Sequence, residues 1–560
     1  MYAAYGNNYP VRPKLPVCTL NCLYRKKVPV SILIAVILFF TLNMVPQVYG
    51  QENRAPEVNL QLAIVTGNYD AVKQHIKAGS DLNEKDQFGS TPLNIAATFG
   101  RTEIAKALID AGADPNALNS DGSSPLHTAA FFCRTEIVKA LMENGGNRYL
   151  KNQYGSTAFD IVAVPFDVDK DIYDKLGAAL APLGLKLDYE RLRKTRPVIA
   201  EMLRPRPEEL AKVNYKPLSG NNWKVSTPEE QGLNPMLVKE LYFDADHLET
   251  IYGLLVIKNG CLVAEKYFNG GSVDQKVRLA SVTKSYTSAL VGIAIDQGYL
   301  SSVDQKMIDF FPELAGQVTD KRKEQITIGD MLKMRAGYPW EEMTEEHFKI
   351  LYTGFRPGLL INFPLTMDPG SGFQYSNLTS HLLGIIVSRA CGTDLKTFGR
   401  ENLFLPINAE IGEWTLDLEG NCNGHGDIHF TARDAAKLGL VYLNDGKYEG
   451  KQVVPSGWVR ESLQNYSRDA WISKDKLNYA GRYFHDLGYG YQWWSASVGD
   501  YRFNFAWGHG GQLIVLLDEY DMVIVVTSFP FWRQHDDESW KHERANINLV
   551  GKFIKSLTSE

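Results

Sequence analysis

Ser281 and Lys284 stand three residues apart in Arg278-Leu-Ala-Ser281-Val-Thr-Lys284, directly before a run of small and apolar residues that stops at Gly298. Such a run predicts a buried helix from about Val282, terminated by the glycine. A spacing of three puts hydroxyl and ammonium on one helix face, at the end where free N–H groups and the helix dipole favour developing negative charge. A serine hydroxyl is a poor nucleophile until a base takes its proton, and a lysine desolvated by burial can be that base. The chemistry open to this pair is acyl transfer through a covalent intermediate.

Ser-x-x-Lys alone is a weak signal: it recurs at Ser473-Lys-Asp-Lys476, in a polar stretch with no buried helix. Two further groups accompany the first copy. Tyr375-Ser-Asn377 follows a Pro/Gly-rich loop over 362–374 and precedes a helix expected over 378–390. Farther on, Asn504-Phe-Ala-Trp-Gly508 leads to His509-Gly510-Gly511, and strand patterns follow at 512–517 and 522–527. Taken singly, Tyr375 reads equally well as a core tyrosine and His509 as a strand-end histidine with a satisfied hydrogen bond. His425 and His429 have a spacing that invites a metal, but Gly426 in a glycine-rich loop spoils the helix that spacing requires, so neither metal nor cofactor is expected. The elbow Gly-x-Ser-x-Gly is absent, which removes the α/β-hydrolase fold as a rival.

Ser-x-x-Lys, Tyr-x-Asn, then a basic residue with two glycines, in this order, resembles the class C β-lactamase, D-alanyl-D-alanine carboxypeptidase and esterase superfamily. Ile326-Thr-Ile-Gly-Asp-Met-Leu-Lys-Met-Arg-Ala-Gly337, Phe430-Thr-Ala-Arg-Asp-Ala-Ala-Lys-Leu-Gly439, Asn444-Asp-Gly446 and Val454-Pro-Ser-Gly-Trp458 resemble the branch that includes 6-aminohexanoate-dimer hydrolases. The likeness spans residues 223–557 and implies an antiparallel sheet flanked by helices, with a helical subdomain. It also implies roles. Ser281 attacks, Lys284 deprotonates it, Tyr375 relays a proton to the leaving group, and Asn377 positions substrate and lysine. The backbone N–H groups of Ser281 and Gln512 form the oxyanion site, and His509, Gly510 and Gly511 border the substrate, the glycines removing side chains where it lies against the strand.

The sequence departs from the penicillin-recognising pattern at His509, where those relatives carry lysine. A neutral imidazole holds a substrate carboxylate less well than an ammonium, so a carboxylic ester or small amide is favoured as substrate; acidification towards pH 6 is expected to let a protonated His509 imitate the lysine. Two other readings stay open. One is a β-lactamase or D-alanyl-D-alanine carboxypeptidase acting on cell-wall-like substrates. The other is a non-catalytic binding protein whose repeats do the work.

Those repeats precede the hydrolase segment. Thr91-Pro-Leu-Asn-Ile-Ala-Ala97 recurs as Ser124-Pro-Leu-His-Thr-Ala-Ala130 and, weaker, as Thr157-Ala-Phe-Asp160, a period of 33 residues kept by Gly79, Gly112 and Gly145 and by Gly89, Gly122 and Gly155. The pattern resembles ankyrin repeats. Thr or Ser with Pro caps and starts one helix, the Ala pair allows close packing, and glycine ends the second helix. One unit cannot bury its own face, so units must stack. A capping unit from 57, two fuller repeats and a degenerate last one fill residues 57–185, with Cys133 where the other units have Gly67 and Gly100. The module is expected either to bind a protein partner or to brace the hydrolase. The charged, proline-broken stretch 186–222 reads as a linker with a helix over 189–203 that Pro197 kinks or shortens. The fold class is therefore α+β: an all-α repeat stack followed by a β-lactamase-like serine hydrolase domain. Ser226-Thr-Pro-Glu-Glu-Gln-Gly232 reads as a capped helix start.

The 560 residues hold 44% hydrophobic and 22% charged residues with a net charge of −6, an ordinary globular composition that offers no bulk attraction to nucleic acid. Six cysteines include no metal-binding spacing. Arg25, Lys26 and Lys27 precede the apolar residues 28–45, and the polar Gln51-Glu-Asn-Arg follows Gly50. Residues 1–50 thus read as a secretory signal, cleaved after Gly50, or as an uncleaved membrane anchor. Either way the remainder is exported, to the periplasm or the extracellular space. A fusion of residues 1–60 to a reporter that works only outside the cytoplasm is expected to be active; an inactive, cytoplasmic fusion refutes the export reading.

Overall fold

The computed structural model describes residues 55–218, 223–314, 316–341, 358, 363–468, 470, 480–529 and 537–558. The export segment and the second Ser-x-x-Lys copy, Ser473 to Lys476, lie outside them. Among the described residues no helix is long and apolar enough to cross a membrane. The described residues divide into two compact units, one within 55–150 and 165–199, the other within 151–164 and 200–558.

The first unit is built of helix pairs: α1 (Leu60–Thr66) with α2 (Tyr69–Lys77), α3 (Pro92–Phe99) with α4 (Thr102–Asp110), and α5 (Pro125–Phe131) with α6 (Thr135–Glu143). The caps act as the sequence predicts. Thr91 and Ser124 each close a capping box, with Asn94 and His127 at the third helical position, and a proline follows each cap. Between the helices of each pair the chain turns through a left-handed residue, Gly67, Gly100 and, at φ 52°, Cys133. There the next unit reaches back. Arg101 donates to Val65 O at 2.5 Å, and Arg134 donates to Thr98 O at 2.9 Å, each satisfying carbonyls left open at a helix end.

At the third turn the same service comes from helix α9 (Tyr189–Leu203): Arg191 donates to Cys133 O at 2.7 Å and to Phe132 O at 3.2 Å. The stretch read as a linker therefore contributes a packed helix to this unit. Its Pro197 sits inside a continuous helix of 15 residues rather than ending it. Leu192 and Ile199 are fully buried, and Arg196 forms a buried ion pair with Asp169 at 2.9 Å. Burial and this pair outweigh the backbone hydrogen bond that proline removes.

The degenerate fourth repeat is divided. Helix α7 (Ala158–Ala163) falls in the second unit and helix α8 (Phe166–Leu180) in the first. The segment 151–164 packs against the C-terminal helix α14 (Asp537–Leu557), whose Asn548 donates to Gly155 O at 3.3 Å and whose Lys552 ammonium lies 4.2 Å from the Phe159 ring centroid.

The second unit is organised on an eight-stranded, wholly antiparallel sheet. Its strands are β1 (Ile251–Lys258), β2 (Cys261–Tyr267), β3 (Ser467–Arg468), β4 (His485–Tyr489), β5 (Trp494–Val498), β6 (Tyr501–Gly508), β7 (Gln512–Leu517) and β8 (Met522–Ser528), in the order β2-β1-β8-β7-β6-β5-β4-β3. Asn259 and Gly260, both at positive φ, make the tight turn between β1 and β2 that the Asn-Gly pair predicts. The near-continuous apolar runs of β7 and β8 follow from burial on both faces. Ile514, Leu516, Val523 and Val525 join one core, with helix α11 (Thr283–Asp296), helix α12 (Asn377–Cys391) and helix α13 (Ala432–Leu443). Leu513, Val515, Ile524 and Val526 join the other, with helix α10 (Pro235–Ala245) and α14.

One helix start is displaced from its expected place. Ser226 to Gly232 forms only a short 3-10 turn, Glu229–Gln231, closed by Gly232 at φ 69°, and α10 starts after its own cap, Asn234. The four described cysteines, Cys133, Cys261, Cys391 and Cys422, are free thiols.

Gly155 has φ +67°, and a Cβ there would lie 2.4 Å from Lys541 O and 2.6 Å from Ala545 N, both backbone atoms of α14. Gly155→Ala is expected to cost roughly 2–4 kcal/mol, measured by urea unfolding, since neither the dihedral nor the helix backbone can yield cheaply. A loss below about 0.5 kcal/mol would show that this contact is not close in solution.

Candidate active site

Ser281 lies in a 3-10 turn, Ala280–Val282, that leads into α11, so the helix proper begins two residues beyond the serine. Ala280, at φ 46°, holds a left-handed conformation that a residue with a Cβ adopts at a cost of about 1 kcal/mol or more. This bend brings Ser281 N beside the end of β6. The Cβ position of Gly508 is 3.2 Å from Ser281 N and 3.1 Å from Gln512 Cβ, so any side chain at 508 would fill the space between the two residues expected to supply oxyanion donors. Gly508 thus joins the residues of the site, a position that only the tertiary fold reveals.

Lys284 is 1% exposed. Its Nζ donates to Ser281 Oγ at 2.9 Å, to Asn377 Oδ1 at 2.8 Å and to His425 O at 2.8 Å. The Tyr375 ring centroid is 4.9 Å from the same nitrogen. Tyr375 is itself packed in aromatic side chains, stacked on Trp494 at 5.7 Å and edge-on to Trp340 at 6.0 Å. Ser281 Oγ, Asn377 Oδ1 and the His425 carbonyl, the last two 93 and 141 residues from Lys284 in sequence, therefore meet at one nitrogen atom. Once it gives up a proton, the amine in this cradle would keep two N–H donors for Asn377 and His425 and turn its lone pair to the serine hydroxyl in place of the hydrogen bond it donates there, the arrangement that proton abstraction requires.

His425 contributes its carbonyl, not its ring. Burial, with Lys284 beside it, holds the imidazole well below the usual histidine range, hence neutral. His429 lies in a two-stranded pairing with Arg278, and its Nδ1 is 3.1 Å from Glu413 O, so the two histidines have separate surroundings.

His509 begins the turn from β6 to β7. Its Nδ1 is 2.8 Å from Glu543 Oε2 and its Nε2 is 2.7 Å from Ser539 Oγ. Glu543 on α14 also accepts from Trp507 Nε1 at 2.7 Å and from Gly510 N at 2.8 Å. The sequence reading of His509 named no carboxylate partner; the structure places Glu543 there. Gly511, at φ +82°, has its own packing reason: a Cβ there would lie 2.7 Å from Asn546 Cβ on α14. Gly510, at φ 84°, is fixed through its carbonyl by Asn546 Nδ2 at 2.9 Å and Ser528 Oγ at 2.5 Å. The Gln512 side chain bridges to β8, donating to Ser528 O at 2.6 Å.

Two carboxylates carry these arrangements without any sequence signature. Glu543 holds the His509 turn, and Glu341, buried against the start of α12, accepts from Ser376 Oγ at 2.6 Å, Asn377 N at 2.9 Å and Leu378 N at 3.1 Å. No spacing rule ties either to the Ser-x-x-Lys pair. Among the described residues no group of three His, Cys, Asp or Glu side chains could hold a metal ion.

Glu543→Ala is expected to destabilise the chain by about 2–4 kcal/mol in denaturant unfolding, because it strands the buried Trp507 indole N–H and the Gly510 N–H. A change under about 0.5 kcal/mol would show that water satisfies these donors.

Comparison with known proteins bears on both parts of the chain. The Beta-lactamase family model matches residues 252–547, and the model of three ankyrin repeat copies matches residues 60–152. The chain is 30% identical over 314 residues to the 6-aminohexanoate-dimer hydrolase of Paenarthrobacter ureafaciens, covering 53% of this chain and 76% of that protein. It is 23% identical over 220 residues to Beta-lactamase-like protein 2 of Dictyostelium discoideum, covering 37% of this chain and 36% of the relative, so it spans only about a third of that protein. A solved simvastatin synthase from Aspergillus terreus aligns with a TM-score of 0.45 at 15% identity, over 58% of this chain and 99% of its own. The chain belongs to the β-lactamase family of serine hydrolases, and ankyrin repeats precede its hydrolase domain.

Proposed function

We propose that this protein is an exported hydrolase of a carboxylic ester or small amide that works through an acyl-enzyme on Ser281. The observation that carries the reading is the Lys284 amine, 2.9 Å from Ser281 Oγ and steadied by Asn377 and the His425 carbonyl. Lys284 takes the serine proton and Tyr375 passes a proton to the leaving group, while Asn377 orients the lysine and the substrate. The N–H groups of Ser281 and Gln512 receive the developing oxyanion, with Gly508 leaving room between them. His509, Gly510 and Gly511 form the adjoining wall. The named activity of the Paenarthrobacter relative supports an amide among the substrates. The repeats offer a surface for a protein partner.

The substrate class follows from charge. A histidine at 509 offers a substrate carboxylate at most an ordinary hydrogen bond, where the fixed charge of a lysine would add charge assistance. Uncharged acyl donors are therefore the preferred substrates.

Three measurements test this. A fluorophosphonate probe is expected to label the wild type and not Ser281→Ala. Lys284→Ala is expected to slow hydrolysis of an activated short-chain ester by roughly 10²–10⁴-fold; retention of most of the activity would remove the lysine from the mechanism. Neutral esters are expected to exceed matched carboxylate-bearing ones by several-fold to about tenfold in kcat/KM, a gap that His509→Lys narrows. Efficient cephalosporin hydrolysis at pH 8 with no preference for neutral donors would refute the substrate assignment.

A further inference from the structure

Glu341 is 1% exposed and sits where the chain enters α12. The first two N–H groups of that helix, from Asn377 and Leu378, donate to its carboxylate, while the third, from Thr379, donates to Ser376 Oγ at 3.2 Å. Ser376 in turn gives its proton to Glu341 Oε1. The carboxylate thus fixes the height and rotation of the helix at Asn377, the residue whose Oδ1 takes a hydrogen bond from Lys284. Its sequence neighbour Trp340 lies against Tyr375. Two adjacent side chains therefore grip Tyr375-Ser376-Asn377 from below.

We propose that Glu341 is a positioning residue for acyl transfer, its ionised carboxylate holding Asn377 so that the Lys284 lone pair stays on the Ser281 hydroxyl. The inference rests on the roles of Ser281 and Lys284 proposed above. It adds a group that touches neither substrate nor reacting atoms.

A carboxylate is an unusual choice here because burial works against its charge. Among the described residues no cation pairs with it, and the titratable groups around it are Tyr338 on its own segment, Tyr375 at the entrance to α12, and Lys284 on α11, reached through Asn377. Desolvation outweighs the hydrogen bonds from Ser376, from its own backbone N–H and from those of Asn377 and Leu378, and pushes its carboxyl from 4.5 up to about 7. The hydrogen bonds need acceptors, so protonation replaces one acceptor by a donor facing donors and loosens the helix start. Activity that depends on this anchor falls as pH drops through about 7. Stability runs the other way. A carboxyl whose folded-state value is raised favours folding below its unfolded value and loses that contribution as pH rises through about 7.

The test is Glu341→Gln in the full chain, with kcat and KM for an activated ester followed from pH 5 to 9. The amide keeps size and one acceptor but cannot titrate. At pH 8 the variant is expected to lose about tenfold in kcat with KM changed less than about threefold, and its ratio of kcat at pH 8 to kcat at pH 6 is expected to be about tenfold smaller than that of the wild type. Its melting temperature relative to the wild type is expected to rise between pH 5 and pH 8. A variant with wild-type kcat and an unchanged acid limb overturns the proposal, as does a melting difference independent of pH. Should the glutamine variant fail to fold, Glu341→Asp, which keeps the charge but shortens the reach, decides: a displaced acid limb with lowered kcat supports positioning, and an unchanged profile overturns it. Fluorophosphonate labelling of Ser281→Ala separates the two levels, since persistent labelling there sinks the Ser281 reading itself, whereas normal Ser281 and Lys284 dependence with an inert Glu341→Gln sinks only this one.

Discussion

The Lys284 Nζ has been taken out of water and given oxygen partners from three parts of the chain, two of them distant in sequence: the turn before its own helix, the first residue of α12, and the loop at His425. A buried amine without such partners would cost several kcal/mol, and one with fixed partners has a fixed lone-pair direction. Most of the second unit can be read as the means of meeting that condition. The core shared by α11, α12 and α13 keeps the two helices in contact over their length, so their N-terminal ends arrive together. Small residues on α11 permit this. Ser285 and Thr287 spend their hydroxyls on the carbonyls of Gln492 and Gly424, which ties the helix to the loops that border the site.

The C-terminal helix α14 has two duties. Glu543 gathers Trp507, His509 and Gly510 around one carboxylate, and Asn546 takes the space beside Gly511 and bonds the Gly510 carbonyl. A little farther along, Lys552 and Asn548 hold the segment 151–164. The His509 turn and the remnant of the last repeat therefore rest on one helix. This explains why both regions use glycine: at Gly155 and at Gly511 the helix comes too close for a Cβ.

Local cost is concentrated at the site. Ala280 takes a left-handed conformation, Glu341 is a carboxyl whose charged form burial opposes, and the Lys284 side chain is buried. The large apolar sheet, covered on both faces, supplies the surplus against which such features stand.

How much of this was legible beforehand depends on whether the governing interaction is local. The repeat period, the capping boxes, the Asn-Gly turn and the apolar strands of β7 and β8 depend on neighbours in sequence, and each lies where its pattern places it. Ser281, Lys284, Tyr375, Asn377 and His509 were legible as an ordered set because their order and flanks matched a family. Pro197 inside α9, the division of the fourth repeat, and the partners Glu341, Glu543, Gly508 and the His425 carbonyl were not. Each depends on a contact across tens to hundreds of residues. A glutamate on a helix facing solvent and one facing a histidine turn have the same neighbours in sequence, and only packing chooses between them. Sequence by itself determined which groups could carry the chemistry; the tertiary structure decided which buried polar groups hold them, because unpaired polar atoms under a protein are costly and their partners are set by space rather than by order.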